Sequence, residues 1–409
     1  MRIPSISYIP QYITNQNIAV AILFVMLTQL VFIEGYTISP LKVGLMALMP
    51  LVFIFKVPYV SKALILGILY LLTIIFSGLF HPESFRFSTI GYLGMFVITF
   101  ITLYNLVHSG AFTLSFFIKF LRWMILAYAI CLICQQLFIL VGIRFMPLVN
   151  LNGQFFLAID KLPSISLEPS HSARILGVLM YAYMQCIGIR QSSPFHFLQL
   201  FEKEHKWVTY GFLWSMLTMG SGTAFIVLGV LSLYFINWRN ALIIVPLLAG
   251  LVYVGSYMGI KQFDRAYNTT QAALTLDKKI VGDTDGSAAY RIGPILNTIN
   301  NLDLSKKEHW FGYGIDSGAK NTSNRMLGEI TDYGFLPYIC GLILIFTCSI
   351  RFWSIPTIMY FIGIGGGTAN VTYGWGILMV FMCVRYFYKY RNNLTKTYNE
   401  QTDTCHLHV

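Results

Sequence analysis

The sequence predicts an all-α, polytopic integral membrane protein of about twelve transmembrane helices, forming one domain over residues 1–409. Three observations predict it. The chain is 56% hydrophobic and only 11% charged, where a soluble domain carries about 25% charged residues. Apolar runs of roughly 17–25 residues recur along its length, and only helices of that kind satisfy their own backbone groups in lipid. The basic residues collect in alternate connecting segments, as they do when orientation in a bilayer is set by charge.

Taken in order, the expected spans lie near 18–34, 41–55, 62–80, 88–107, 119–142 and 172–189. Six more follow near 207–219, 222–238, 241–258, 333–350, 354–366 and 372–388. Residues 1–17 are polar and contain proline, and the first apolar run is long enough to span. An uncleaved start is therefore expected. With an even span count both termini fall on the cytoplasmic side, including a tail over 389–409. That side collects Lys56, Lys62, Lys119, Arg122, Arg190 and Arg385, whereas the short outer connections hold Lys42 and Arg86. The net charge of +11 is thus read as membrane orientation. No basic stripe with interleaved aromatics marks a nucleic-acid surface. The seven cysteines, Cys131 and Cys134 among them, are expected to be core residues, with no disulfide framework.

Two longer loops, about 143–171 and 259–332, then fall outside. The Gly220-Ser221-Gly222-Thr223 turn and the Gly365–Asn370 segment reach the same face. Polar features that converge on one face are expected of a site. The first loop ends in Glu168-Pro169-Ser170-His171-Ser172-Ala173-Arg174, where an exposed segment runs into an apolar span. Proline suits the first turn of a helix, and His171 and Arg174 share a face at i, i+3. One reading is a capped helix start whose arginine reaches to water. The other is a catalytic base, Glu168 or His171, beside an anion-binding Arg174.

The second loop carries Arg265, Arg291 and the run Trp310-Phe311-Gly312-Tyr313-Gly314. An arginine offers a planar fork suited to phosphate oxygens, and glycines let backbone approach a ligand. Each arginine by itself also fits pairing with Asp264 or lipid phosphates, and the glycines fit a plain turn. Asp283 and Asp285 form a D-x-D that could hold a metal, although a solvated turn fits the surroundings better. His406 and His408 lie in a polar tail.

Together Ser164–Arg174, the Gly220–Thr223 turn opening a helix, and Arg291 followed by Trp310–Gly314 resemble the Wzy-type polysaccharide (O-antigen) polymerases. These share a superfamily with the O-antigen ligases. The resemblance implies a GT-C-like glycosyltransferase architecture with a large periplasmic loop, in a bacterial inner membrane. It implies an active site at the periplasmic face and a substrate glycan carried on undecaprenyl diphosphate. Arg291 matches the family arginine before the G-x-G segment; Arg174 and Arg265 match less closely as basic residues of the outer loops. Asn324 fits the family pattern after G-x-G, but Ser323 stands where histidine is expected, which tells against the ligase.

The implied reaction transfers a growing glycan onto an incoming lipid-linked repeat unit with inversion. Glu168 or His171 would be the base. Arg174, Arg265, Arg291, Gly312, Gly314 and Asn324 would hold the diphosphate substrate. No metal or cofactor is expected, and a chain-length regulator is an expected partner. The rivals are an O-antigen ligase and, from another class, a flippase for lipid-linked oligosaccharide. A transporter usually shows matching halves and mid-span charges; here the halves do not match and mid-span charges are nearly absent.

Overall fold

A computed structural model describes residues 14–33, 38–144, 161–236, 303–314, 328–364 and 372–406, with scattered positions between them. Among the described residues every extended element is helical. The first five helices are α1 (Asn15–Leu27), α2 (Pro40–Lys56), α3 (Lys62–Leu79), α4 (Phe87–His108) and α5 (Leu114–Leu140). After the 161–168 loop come α6 (Pro169–Gln191), α7 (Lys206–Thr218) and α8 (Gly222–Ser232). Short helices α9 (Lys307–Phe311) and α10 (Gly328–Tyr333) precede α11 (Phe335–Cys348), α12 (Ile355–Ile358) and α13 (Thr372–His406).

Local chemistry sets the helix starts. Side chains of Thr14, Ser61 and Thr113 accept hydrogen bonds from the first-turn amides of Asn17, Leu64 and Phe116. Pro40 and Pro169 open α2 and α6, where a missing N–H leaves nothing unpaired. Ser192 ends α6 in the left-handed conformation (φ 59°).

Helices α3, α4, α5 and α6 are each long and apolar enough to cross a membrane. The expected count of about twelve spans goes beyond that. The outer faces of α2, α3 and α5 expose Leu48, Ile54, Ile65, Leu72, Ile130 and Leu137. Apolar area turned outward on several helices is the reverse of a soluble surface and matches a lipid-facing one. Helix α6 is the opposite case: 89% of its most apolar stretch is buried, against 28% for α3. It packs on α5, α8 and α13 and forms the axis of the bundle. Gly177 admits α8, since a Cβ there would overlap Val227, and Gly376 lets α13 lie against the backbone of Met26.

Expected boundaries move, most clearly at the first span. The span near 18–34 is a helix only over Asn15–Leu27. Thr28 bonds back to Phe24, and the Gln29 amide then donates to Ile165 at 2.8 Å. The chain leaves the helix to pair with the loop before α6, and hydropathy carries no trace of that pairing.

The helix ends sort onto two faces. One gathers the ends of α1, α3, α5 and α7, the starts of α6 and α11, and the 161–168 loop. At the other, Asn105 near the end of α4 donates to Val57 and Tyr59 between α2 and α3 at 3.1 and 3.0 Å. There too Arg385 of α13 donates to the carbonyl of Phe346, in the last turn of α11, at 2.5 Å, and to that of Ile350 just beyond it. The two arrays place the candidate site at the first face.

Candidate functional site

The site is built on the loop that enters α6. Ser164 has φ 55°, a left-handed conformation that needs outside support in a non-glycine residue. Gln135 supplies it from inside α5. Its Nε2 donates to the Ser164 carbonyl and its Oε1 accepts from the Ser164 amide, both at 2.8 Å. The Ser164 hydroxyl donates to Tyr128 O at 2.6 Å, and Tyr128 donates to Leu27 O at 2.5 Å. Leu162 N–H donates to Met219 O at 3.2 Å. Helices α1, α5 and α7 thus fix a buried loop whose backbone groups would otherwise lack partners.

Ser166 and Ser172 close the turn. Their hydroxyls lie 2.7 Å apart, and Ser172 also donates to Pro163 O. Glu168 then opens α6 with no side-chain cap. Its carboxylate stays 56% exposed, receives a bond from Ser170 at 3.1 Å, and lies 3.5 Å from His171 Nε2.

His171 and Arg174 point to one neighbour, Tyr373, in the first turn of α13. The His171 and Tyr373 rings sit 4.3 Å apart by centroid. The Arg174 guanidinium lies 5.7 Å from the same ring centre, and its Nη1 donates to the Tyr373 hydroxyl. Arg174 is 8% exposed and Tyr373 6%. Arg174 Nε has no hydrogen-bond partner. Among the described residues no carboxylate pairs with Arg174. A buried N–H of a cation that lacks a partner is costly, and an anion is the group that would satisfy it best. The structure therefore brings Glu168, His171 and Arg174 into one cluster and adds Tyr373, which sequence reasoning missed. Its one signal was position, at the start of a span beside the Gly365–Asn370 segment.

Gly312 and Gly314 lie at the same face. Gly312 (φ 75°), Gly314 (φ 85°) and Gly334 (φ 95°) take conformations that disfavour any side chain. A Cβ on Gly312 would overlap the backbone of Asp332 and Tyr333, and one on Gly334 would overlap Trp310 and Gly312. The Gly314 amide donates to Asp332 O at 3.2 Å. Ser77 and His81, at the end of α3, bond the carbonyls of Phe311 and Gly312, the latter at 2.8 Å. These glycines lock the end of the second loop onto α3 and α10. Beside the lock is a small cleft lined by Ile74, His81, Phe85, Gly314, Asp332 and Tyr333.

Arg265, Arg291, Asn324, Asp283 and Asp285 lie outside the described residues. Among the described residues, no group of three His, Cys, Asp or Glu side chains is placed to hold a metal ion. Cys131, Cys186, Cys340, Cys348 and Cys383 are buried free thiols.

At the opposite face a second polar cluster holds the segment between α6 and α7. Arg190 bonds Glu204 at 3.1 Å and, beside it, holds that carboxylate below its usual range. His205 takes the Tyr183 hydroxyl at 2.8 Å, and burial pulls its imidazole down. This cluster ties the segment between α6 and α7 to α6.

No protein-family model, no curated protein and no solved structure matches the chain.

Proposed function

We propose that this chain is a membrane polysaccharide polymerase of the Wzy type, acting at the extracytoplasmic face on glycans carried by undecaprenyl diphosphate. The observation that carries the proposal is the buried guanidinium of Arg174, its Nε without a hydrogen-bond partner, within one turn of His171 and two of Glu168. A cation beside a carboxylate–imidazole pair supplies what displacement of a diphosphate needs, a base at the attacking oxygen and charge stabilisation at the leaving one.

Charge sorting supports the sidedness. The end opposite the cluster carries Lys56, Lys62, Lys119, Arg122, Arg190 and Lys206 in or beside short connections, as cytoplasmic ends do. The remaining spans of the twelve, the GT-C-like architecture and the roles of Arg265, Arg291, Gly312, Gly314 and Asn324 belong to the same proposal.

In the proposed step a hydroxyl oxygen of the incoming repeat unit attacks the anomeric carbon of the growing chain. The hydroxyl proton passes to Glu168, with His171 sharing the site. The bond from the anomeric carbon to the diphosphate oxygen breaks with its electrons, and Arg174 takes up the charge that builds there. Attack opposite to departure inverts the anomeric centre.

The test is purified protein incubated with lipid-linked repeat units. A ladder of polymer is expected. Loss of about 10²–10³ in rate is expected for Arg174→Ala, the range for a missing charge-stabilising donor. Glu168→Gln should lose about 10²–10⁴ if it is the base. Wild-type protein that forms no polymer but moves lipid-linked sugar between leaflets overturns the enzyme reading in favour of transport.

A further inference from the structure

We infer that Tyr373 is the positioning residue of this site, holding Arg174 and His171 in one fixed relation; this rests on the proposed function above. Three contacts converge on its side chain. The hydroxyl accepts from Arg174 Nη1, the ring lies 5.7 Å from the guanidinium carbon, and the ring sits 4.3 Å from His171. Arg174 and His171 are three residues apart on α6, and that spacing lets one side chain from α13 meet both.

The geometry assigns a direction to the guanidinium. With Nη1 tied to the hydroxyl, the guanidinium cannot rotate freely, and the Nε edge is the one left without a partner. An arginine fixed by one edge loses less freedom when the other edge binds an anion. Tyr373 acts through Arg174 and His171, and no bond to the reacting atoms is required of it. Its own place is fixed by the packing of α13 on α6, with Tyr181 and Phe381 in edge contact further down the same pair.

The predicted behaviour is specific to the hydroxyl. Tyr373→Phe keeps the ring against His171 and removes the acceptor. Affinity for a diphosphate should fall about 10-fold, near 1.4 kcal/mol, with kcat and its pH profile little changed. Tyr373→His restores a ring and an acceptor nitrogen and should recover most of the loss. Arg174→Lys should lose affinity, and adding Tyr373→Phe to it should cost little more, because the bond is already gone.

The experiment measures inorganic pyrophosphate binding to the purified full-length chain by calorimetry, and KM and kcat with lipid-linked repeat units. Thermal melting in the same detergent checks folding. Weaker binding by Tyr373→Phe, rescue by Tyr373→His and non-additivity with Arg174→Lys support the inference. Binding by Tyr373→Phe equal to wild type, or simple additivity, overturns it and leaves the proposed function standing. Wild-type protein that neither binds pyrophosphate nor makes polymer overturns the proposed function itself. Should Tyr373→Phe fail to fold, Tyr373→Leu, which removes ring and hydroxyl together, decides: about 10-fold weaker pyrophosphate binding supports the inference, and wild-type affinity overturns it.

Discussion

Replacing Gln135 by leucine should open the loop that carries Glu168 without unfolding the bundle. Gln135 is fully buried in α5 and makes two 2.8 Å bonds to the backbone of Ser164. Leucine keeps the approximate shape and removes both partners. A buried amide and a buried carbonyl would then stand unsatisfied, at about 1–3 kcal/mol each, or roughly 2–6 kcal/mol together. The loop can relieve this by lifting off, so the loss is expected in local opening rather than in global stability. Hydrogen exchange read by mass spectrometry over 161–168 is the assay. A loss of 2 kcal/mol corresponds to about 30-fold faster exchange. Gln136→Leu is the control, because Gln136 bonds Trp214 and Thr218 instead. Unchanged exchange in Gln135→Leu, or equal acceleration in Gln136→Leu, would refute the claim that this amide holds the loop.

The glycine lock makes a second expectation. Gly334→Ala places a Cβ against Trp310 and Gly312 at φ 95°, so about 2–4 kcal/mol should be lost from strain and overlap together; limited proteolysis between α9 and α10 would report it, and a wild-type digestion pattern would count against the lock. The opposite face should show a pH response. The folded pKa of His205 lies below its unfolded value, so the unfolded state binds more protons as pH drops through the histidine range and stability falls with it. Glu204, held low by Arg190, adds stability that is present above the unfolded carboxylate value and is lost as pH falls through the folded one. The melting temperature should decline from pH 7 toward pH 4, and His205→Gln should flatten the part of that decline above pH 5. An identical slope in the variant would remove His205 as the cause.

Hydropathy made the long helices legible. The expectation of 62–80 met α3 at Lys62–Leu79, and 88–107 met α4 at Phe87–His108. Runs of apolar residues report what lies in an apolar medium, and these helices have little else to report. The same signal failed where tertiary pairing ends a helix early, as at Thr28, and at α8, which closes at Ser232 rather than near 238. In the site, Glu168, His171 and Arg174 were visible as costly polar residues at a span start. Gln135 and Tyr373 were not singled out. Gln135 offered a signal of the same kind, an amide inside an apolar run, where an unpaired polar group is expensive. Tyr373 offered less, because its partner lies 199 residues away and no local spacing encodes it.

The placement of charge along α6 argues for function over mere capping. A carboxylate meant to neutralise Arg174 would stand three or four residues before it, where side chains meet on one face. Those positions hold His171 and Ser170. Glu168 is six residues away, about 9 Å of axial rise, too far to pair directly. The carboxylate is the exposed member and the guanidinium the buried one. Burial of a cation without its counter-ion is unfavourable, and here a phenol hydroxyl and a ring face meet only part of that demand. Mutual neutralisation would have favoured stability and closed the site to ligands. Keeping the two charges apart, with an aromatic clamp on the cation, is what the proposed roles of Glu168 as base and Arg174 as anion ligand require.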